Sequence, residues 1–186
     1  PFTFFPATAA MFSVARKWAT GDADIPLFKS YFRYYKANYK HAMFGGLFFS
    51  AVFIVMLINV QFYADQQTAL AFLNYVFLFM LVLMLAAFFN YFCYLAHFDM
   101  PFWASIKNSL LFTIARPLNT VYILFMNIVI LYISFFRFTF LIPFFMGSIM
   151  AIVTFWGFYR SIQRIQEKAE QLQEKQEQEA EKERLE

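Results

Sequence analysis

Four stretches of the sequence carry no charged side chain and are each long enough to cross a lipid bilayer. They run from Ala42 to Tyr63, from Thr68 to Phe98, from Pro117 to Phe136 and from Phe138 to Tyr159. A helix needs roughly 20 apolar residues to cross about 30 Å of hydrocarbon at about 1.5 Å per residue. Because 61% of the residues are hydrophobic and only 15% are charged, a water-soluble domain could not bury the apolar surface. The sequence therefore predicts an all-α, polytopic transmembrane helical bundle with four full spans.

A shorter uncharged segment precedes these four stretches. Pro1 to Ala15 carries no charge, but it is too short to span a bilayer unaided. It contains Pro6, and a proline inside a helix removes a backbone hydrogen bond and breaks or kinks the helix. We therefore expect a first membrane segment that is truncated here, or broken or re-entrant at Pro6.

The positions of the basic residues predict the orientation in the membrane. Cytoplasmic loops of membrane proteins retain an excess of Lys and Arg. If residues 16–41 lie inside, the alternation of spans places 14 of the 15 Lys and Arg residues on that side, with Arg137 as the exception. We therefore expect a cytoplasmic C terminus, with residues 1–160 as the transmembrane domain and residues 161–186 as a charged, Gln/Glu-rich cytoplasmic helix.

Two segments on the inner side have the pattern of amphipathic helices. Residues 24–41 combine an aromatic stripe with a basic one, and residues 101–116 place apolar side chains beside a row of Ser and Thr. We expect Asp24 to cap the first helix and Asp99 the second. Helices of this kind lie on the bilayer surface or against a partner helix. The candidate membrane-surface or partner contacts are Lys29, Arg33, Lys36, Lys40, Trp103, Lys107 and Arg116.

Several amide side chains lie within the predicted spans, where lipid offers them no hydrogen-bond partner. Hydrogen bonds between transmembrane helices are worth roughly 0.6 to 2 kcal/mol each, and this is the commoner role of such groups. The same amides would alternatively line a path for a substrate. The candidate intramembrane polar contacts are Asn59, Asn74, Asn90, Asn119 and Asn127.

The residues that catalysis requires are scarce in this sequence. The two histidines, His41 and His97, are too far apart for a two-histidine zinc motif on one helix. Cys93 is the only cysteine, and none of the five glycines belongs to a phosphate-binding loop. His97 and Asp99 are the nearest approach to a site, and we interpret them as interfacial residues. We therefore expect a protein that is not an enzyme and has no catalytic residue, cofactor, metal or nucleic-acid partner.

The order of several motifs resembles a known family. PATAAMFSVARK at 6–17 is followed by the acidic turn GDAD at 21–24 and by an aromatic and basic helix that ends in NYK at 38–40. SIKNSL at 105–110 and the pair Arg116-Pro117 follow later. In this order they resemble the YesL-like family of bacterial integral membrane proteins, which is defined by a domain of unknown function. The resemblance extends to about residue 160, and members usually carry one more hydrophobic segment before the first motif.

The resemblance implies a role in carbohydrate uptake at the bacterial cell membrane, because family members tend to be encoded beside carbohydrate ABC importers. It identifies no functional residue. We expect a non-catalytic accessory subunit that binds the permease subunits of an oligosaccharide importer, with their ATPase as a further contact, and that supports assembly or gating. The alternative, motivated by the intramembrane amides, is a stand-alone transporter or channel for small solutes.

Overall fold

The computed structural model describes residues 3–21, 26–64, 71–137 and 145–185. All the regular secondary structure in these ranges is α-helical, which confirms the predicted all-α class. Seven helices occur in the described ranges. They are α1 (Phe4–Ala19), α2 (Leu27–Ala37), α3 (Tyr39–Ala64), α4 (Ala71–His97), α5 (Phe102–Ala115), α6 (Pro117–Phe136) and α7 (Met146–Leu185).

Three of these helices are long and apolar enough to cross a membrane. The segments are Tyr39–Tyr63, Phe72–His97 and Pro117–Phe136, and they correspond to three of the four predicted spans. The predicted fourth span falls partly on residues 138–144, which lie outside the described residues. The remainder of that segment forms the start of α7, which then continues as a single helix through the charged tail.

Helix α1 lies in the centre of the bundle, packed against α2, α3, α4 and α7. Small side chains such as Ala9, Ala10 and Ser13 are buried on it and allow its neighbours to approach closely. The expected break at Pro6 is wrong, because α1 continues through this residue from Phe4 to Ala19. Pro6 lies in the first helical turn, where its missing N–H would have had no acceptor within the helix.

The helices alternate in direction. Phe5 of α1 contacts Phe88 of α4 while Phe12, farther along α1, stacks on Phe92, so α1 and α4 are parallel. Tyr63, near the end of α3, stacks on Phe77 near the start of α4, which makes these two helices antiparallel. Helices α6 and α7 form a second antiparallel pair. The ends of α1 and α4 therefore meet the starts of α3 and α6 at one end of the bundle.

That end holds most of the positive charge of the described bundle, and we call it the basic end. Helix α2 connects α1 to α3 there, and α5 connects α4 to α6. Arg137 follows the last residue of α6 and lies at the opposite end. The basic residues of the basic end are Arg16, Lys17, Lys29, Arg33, Lys36, Lys40, Lys107, Arg116, Arg160 and Arg164.

The core is concentrated toward the basic end. Residues 90–96 of α4 are all buried, and Tyr91 and Phe92 are fully enclosed. The first half of α4 is open by contrast, with Phe72 and Phe79 each more than 60% exposed. An exposed apolar surface of this extent is unusual for a soluble monomer, whereas it is expected where side chains meet lipid.

The junction between α5 and α6 confirms that Pro117 interrupts the helix. Arg116 has φ −125° and ψ 67°, outside the helical region, and Pro117 is the first residue of α6. Because proline has no N–H, the carbonyl of Thr113 loses its usual donor. The Thr120 hydroxyl replaces it by donating a hydrogen bond of 2.8 Å to that carbonyl.

Two aspartates were predicted to cap the N termini of α2 and α5. Asp99 does not cap α5, because the residue at the N-cap position is Pro101 and no side chain caps this terminus. The Pro101 carbonyl accepts the first helical hydrogen bond, from the Ser105 N–H at 3.1 Å. Asp24, predicted to cap α2, lies outside the described residues.

Candidate functional site

Helix α2 attaches to the bundle by a narrow face. Ser30 is buried against the rest of the protein, and α2 packs mainly against α1. At the end of α2, the Asn38 amide donates a hydrogen bond of 3.4 Å to the Ser13 hydroxyl on α1. The remaining circumference of α2 is therefore turned away from the other helices.

The outward side of α2 carries two phenylalanines beside three basic residues. We call these five residues the α2 surface (Phe28, Lys29, Phe32, Arg33 and Lys36). Phe28 is 84% exposed and Phe32 is 60% exposed, and the three cations are exposed as well. The Arg33 guanidinium lies 5.1 Å from the centre of the Tyr34 ring. The structure thus brings together the predicted basic residues of α2.

Two further polar residues, Lys40 and Tyr31, lie close to the α2 surface in the chain. Lys40 is exposed in the first turn of α3. Burial, with a smaller contribution from Tyr35, raises the pKa of the Tyr31 phenol, so Tyr31 remains a hydrogen-bond donor at neutral pH. The α2 surface therefore combines cations and apolar rings beside the phenol of Tyr31, a combination found at membrane interfaces and in protein interfaces.

Helix α5 turns its small polar residues toward the bundle. Ser105, Ser109 and Ile106 are buried, so the row of small polar residues faces α4. Trp103 is 70% exposed and meets the ring of Phe48 edge-on. A helix in lipid typically turns its small polar residues toward neighbouring helices and its large apolar residues outward.

The other predicted contact residues of this region are separated along the chain. Lys107 is exposed on α5. Arg116 is half-buried at the junction of α5 and α6 and lines a cavity there. Trp103 and Lys107, both exposed and four residues apart, share one face of α5, whereas Arg116 lies in the cavity beyond the end of this helix.

Two of the predicted intramembrane amides join helices. The Asn90 amide donates a hydrogen bond of 2.9 Å to the Thr113 hydroxyl of α5. The Asn127 amide donates one of 2.9 Å to the Thr154 hydroxyl of α7. Both asparagines are buried and link neighbouring helices.

The other three amides have different environments. Asn59 donates to the carbonyl of Val55 in its own helix. Asn74 has a buried Oδ1 atom without a hydrogen-bond partner in the described part of the chain. The Nδ2 atom of Asn119 is also buried and has no partner there, and the Asn119 side chain lines the cavity that Arg116 lines.

This cavity, of about 520 Å³, lies between α6 and α7 at the basic end. We call it the arginine cavity. Its charged lining residues are Arg116, Arg160 and Arg164, and the Arg160 guanidinium lies 5.4 Å from the centre of the Trp156 ring. Sequence analysis identified Arg116 and Asn119 but missed the two arginines of α7. Arg160 and Arg164 are four residues apart, which places both on one face of the helix. This spacing could have identified them from the sequence as a shared basic face.

His97 and Asp99 do not form a site. The His97 ring is surrounded by aromatic rings, among them Phe98 and Tyr159, whereas Asp99 is exposed. Among the described residues no group of three His, Cys, Asp or Glu side chains is close enough to hold a metal ion.

Comparison with known proteins finds relatives whose alignments cover most of this chain. Residues 1–60 match the model of the family described as protein of unknown function, DUF624. The chain is 31% identical over 175 residues to the uncharacterized protein YesL of Bacillus subtilis (strain 168), covering 90% of this chain and 80% of YesL. It is 29% identical over 171 residues to YesV, an uncharacterized protein of the same organism, covering 91% of this chain and 82% of YesV. No solved structure matches the chain.

Proposed function

This chain belongs to the YesL-like family of DUF624 proteins, and from that membership we propose that it is a non-catalytic accessory subunit of a bacterial carbohydrate ABC importer. In this proposal the chain binds the permease subunits and supports their assembly or gating. In this proposal the permease binds and translocates the oligosaccharide, so the chain needs no substrate site of its own.

The observation that carries the proposal is the exposed α2 surface. Phe28 and Phe32 project away from the bundle, and no described helix covers them. Burying two phenylalanine side chains is worth roughly 1.5 to 3 kcal/mol each, so a helix or membrane surface that covers them gains affinity. Lys29, Arg33 and Lys36 beside them favour an acidic partner or anionic lipid.

The proposed topology follows from the alternation of helices. We infer a fourth span that includes the start of α7 and a cytoplasmic basic end, since Lys and Arg are retained on that side of a bacterial membrane. The α2 surface would then lie at the cytoplasmic face, where the ATPase of an importer binds its permease. The long charged part of α7 would project from the same face.

The alternative function is a stand-alone transporter or channel. Asn90 and Asn127 are engaged in interhelical hydrogen bonds, which favours a packing role for these two amides. Sugar flux in proteoliposomes that contain this chain alone would support the alternative, and it is not expected from an accessory subunit.

Affinity purification from the native host in a mild detergent tests the proposal. The tagged chain should retain permease and ATPase subunits, identified by mass spectrometry. The Phe28→Ala/Phe32→Ala variant should lose them, whereas Leu172→Ala, at an exposed position of the α7 tail, should retain them. Recovery of the wild-type chain as a monodisperse species without importer subunits, under conditions that preserve the importer, would count against the proposal.

A further inference from the structure

The arginine cavity concentrates positive charge without a carboxylate to neutralise it. Arg116 extends from the junction of α5 and α6, and Arg160 and Arg164 extend from successive turns of α7. No Asp or Glu lines the cavity, and within the described residues none of the three guanidinium groups forms an ion pair. Three cations that line one cavity without a carboxylate favour the binding of an anion there.

The cavity also contains hydrogen-bond donors that the described residues leave unused. The Asn119 side chain lines the wall, and its buried Nδ2 atom has no hydrogen-bond partner among the described residues, which is unfavourable for folding. The first turn of α6 lines the same cavity through Pro117 and Leu118. Its backbone N–H groups and the helix dipole favour negative charge at this position.

The floor of the cavity is formed by close packing at Gly157. A Cβ atom at this position would collide with the ring of Tyr122, and the Asn119 Oδ1 atom lies 3.6 Å from the same point. Glycine therefore allows α6 and α7 to approach with the Tyr122 ring between them. The donors are thus held on two packed helices rather than on a loop.

The surroundings indicate what kind of anion fits. Guanidinium groups bind phosphate oxygens in a bidentate manner. An exposed apolar stripe of α6 begins at the cavity, with Leu118 at 87% exposure and Val121 and Phe125 at 63% each. Trp156 and Tyr122, residue types enriched at membrane interfaces, line the cavity itself. A charged pocket joined to an apolar stripe matches an amphiphile better than a free ion.

We propose that the arginine cavity binds the phosphate group of an anionic phospholipid, with the acyl chains lying along Leu118, Val121 and Phe125. Basic pockets between transmembrane helices bind anionic headgroups in this way. The bound lipid would fill the space between α6 and α7 and neutralise part of the charge. The inference concerns this chain alone, so its test requires no importer.

Native mass spectrometry of the purified chain, with phosphatidylglycerol or phosphatidylcholine added to the detergent, tests this inference. The wild-type chain should retain phosphatidylglycerol in preference to phosphatidylcholine. Each of the variants R116Q, R160Q and R164Q should weaken that binding about fivefold. The matched control is R137Q, which removes a cation at the opposite end of the bundle and should leave binding unchanged.

Size-exclusion elution of each variant as a monodisperse species establishes that the bundle is intact. Equal retention of the two lipids, or equal losses in R137Q and R160Q, would overturn the inference. Displacement of phosphatidylglycerol by an equal concentration of inorganic phosphate would also overturn it, because the cavity would then select a free phosphate rather than a lipid.

Discussion

Asn127 of α6 and Thr154 of α7 form a buried hydrogen bond of 2.9 Å between two neighbouring helices. The amide also donates to the carbonyl of Ile123 in its own helix, so both of its hydrogens are satisfied. The pair fixes the register of α6 against α7, and with it the position of the arginine cavity, whose three arginines lie about two to three helical turns away.

Replacing Thr154 by valine is expected to destabilise the protein by about 0.6 to 1.7 kcal/mol, because the Asn127 amide loses an acceptor while the volume is unchanged. Unfolding of the purified protein in mixed micelles measures the change. Thr154→Ser keeps the hydroxyl and should retain most of the stability. Asn59→Ala serves as a control that removes only a hydrogen bond within one helix, and an equal loss in that variant would contradict the interhelical role.

Substitution of Gly45 by alanine is expected to destabilise the bundle by about 1 to 3 kcal/mol through overpacking. The added Cβ would collide with the ring of Tyr91, whose hydroxyl donates a hydrogen bond of 2.7 Å to the carbonyl of His41. The same unfolding measurement detects this loss. Gly147→Ala is the matched control, since its nearest neighbour is the flexible end of Met11 at 3.1 Å. Equal stabilities of the two variants would refute this account of Gly45.

Replacing Thr120 by valine tests the junction of α5 and α6. The Thr113 carbonyl, which Pro117 leaves without a backbone donor, would then be buried without its hydrogen bond of 2.8 Å. We expect a loss of about 1 to 3 kcal/mol in the free energy of unfolding, with recovery in Thr120→Ser. Pro117→Ala in the Thr120→Val background restores the backbone donor and should reduce the loss. No difference between valine and serine would mean that the hydroxyl is not required.

The sequence predicted the parts of the fold that depend on hydropathy alone. Long uncharged runs identified α3, α4 and α6, because the cost of a charge in hydrocarbon is large enough to make such runs unambiguous. The helix break at Pro117 was also predictable, since the missing N–H is a local property of one residue.

Other features depend on packing that one sequence does not reveal. Pro6 was interpreted as a break because its position relative to the start of α1 was unknown, and in the first turn a proline costs little. The orientation of the α5 serines was not predicted, since which helix covers them is a tertiary property. The arginine cavity was missed because Arg116 and Arg160 are brought together only when α6 folds back on α7.

In the proposed membrane bundle, the basic residues other than Arg137 lie on one side. Single-cysteine variants Lys36→Cys, Arg164→Cys and Arg137→Cys, made in a Cys93→Ala background, test it most directly. Cys93 is fully buried, so its replacement removes a thiol that does not face solvent. In intact cells a membrane-impermeant maleimide should label only Arg137→Cys, and in inverted membrane vesicles it should label only Lys36→Cys and Arg164→Cys. Labelling of Lys36→Cys and Arg164→Cys from opposite faces would contradict the account.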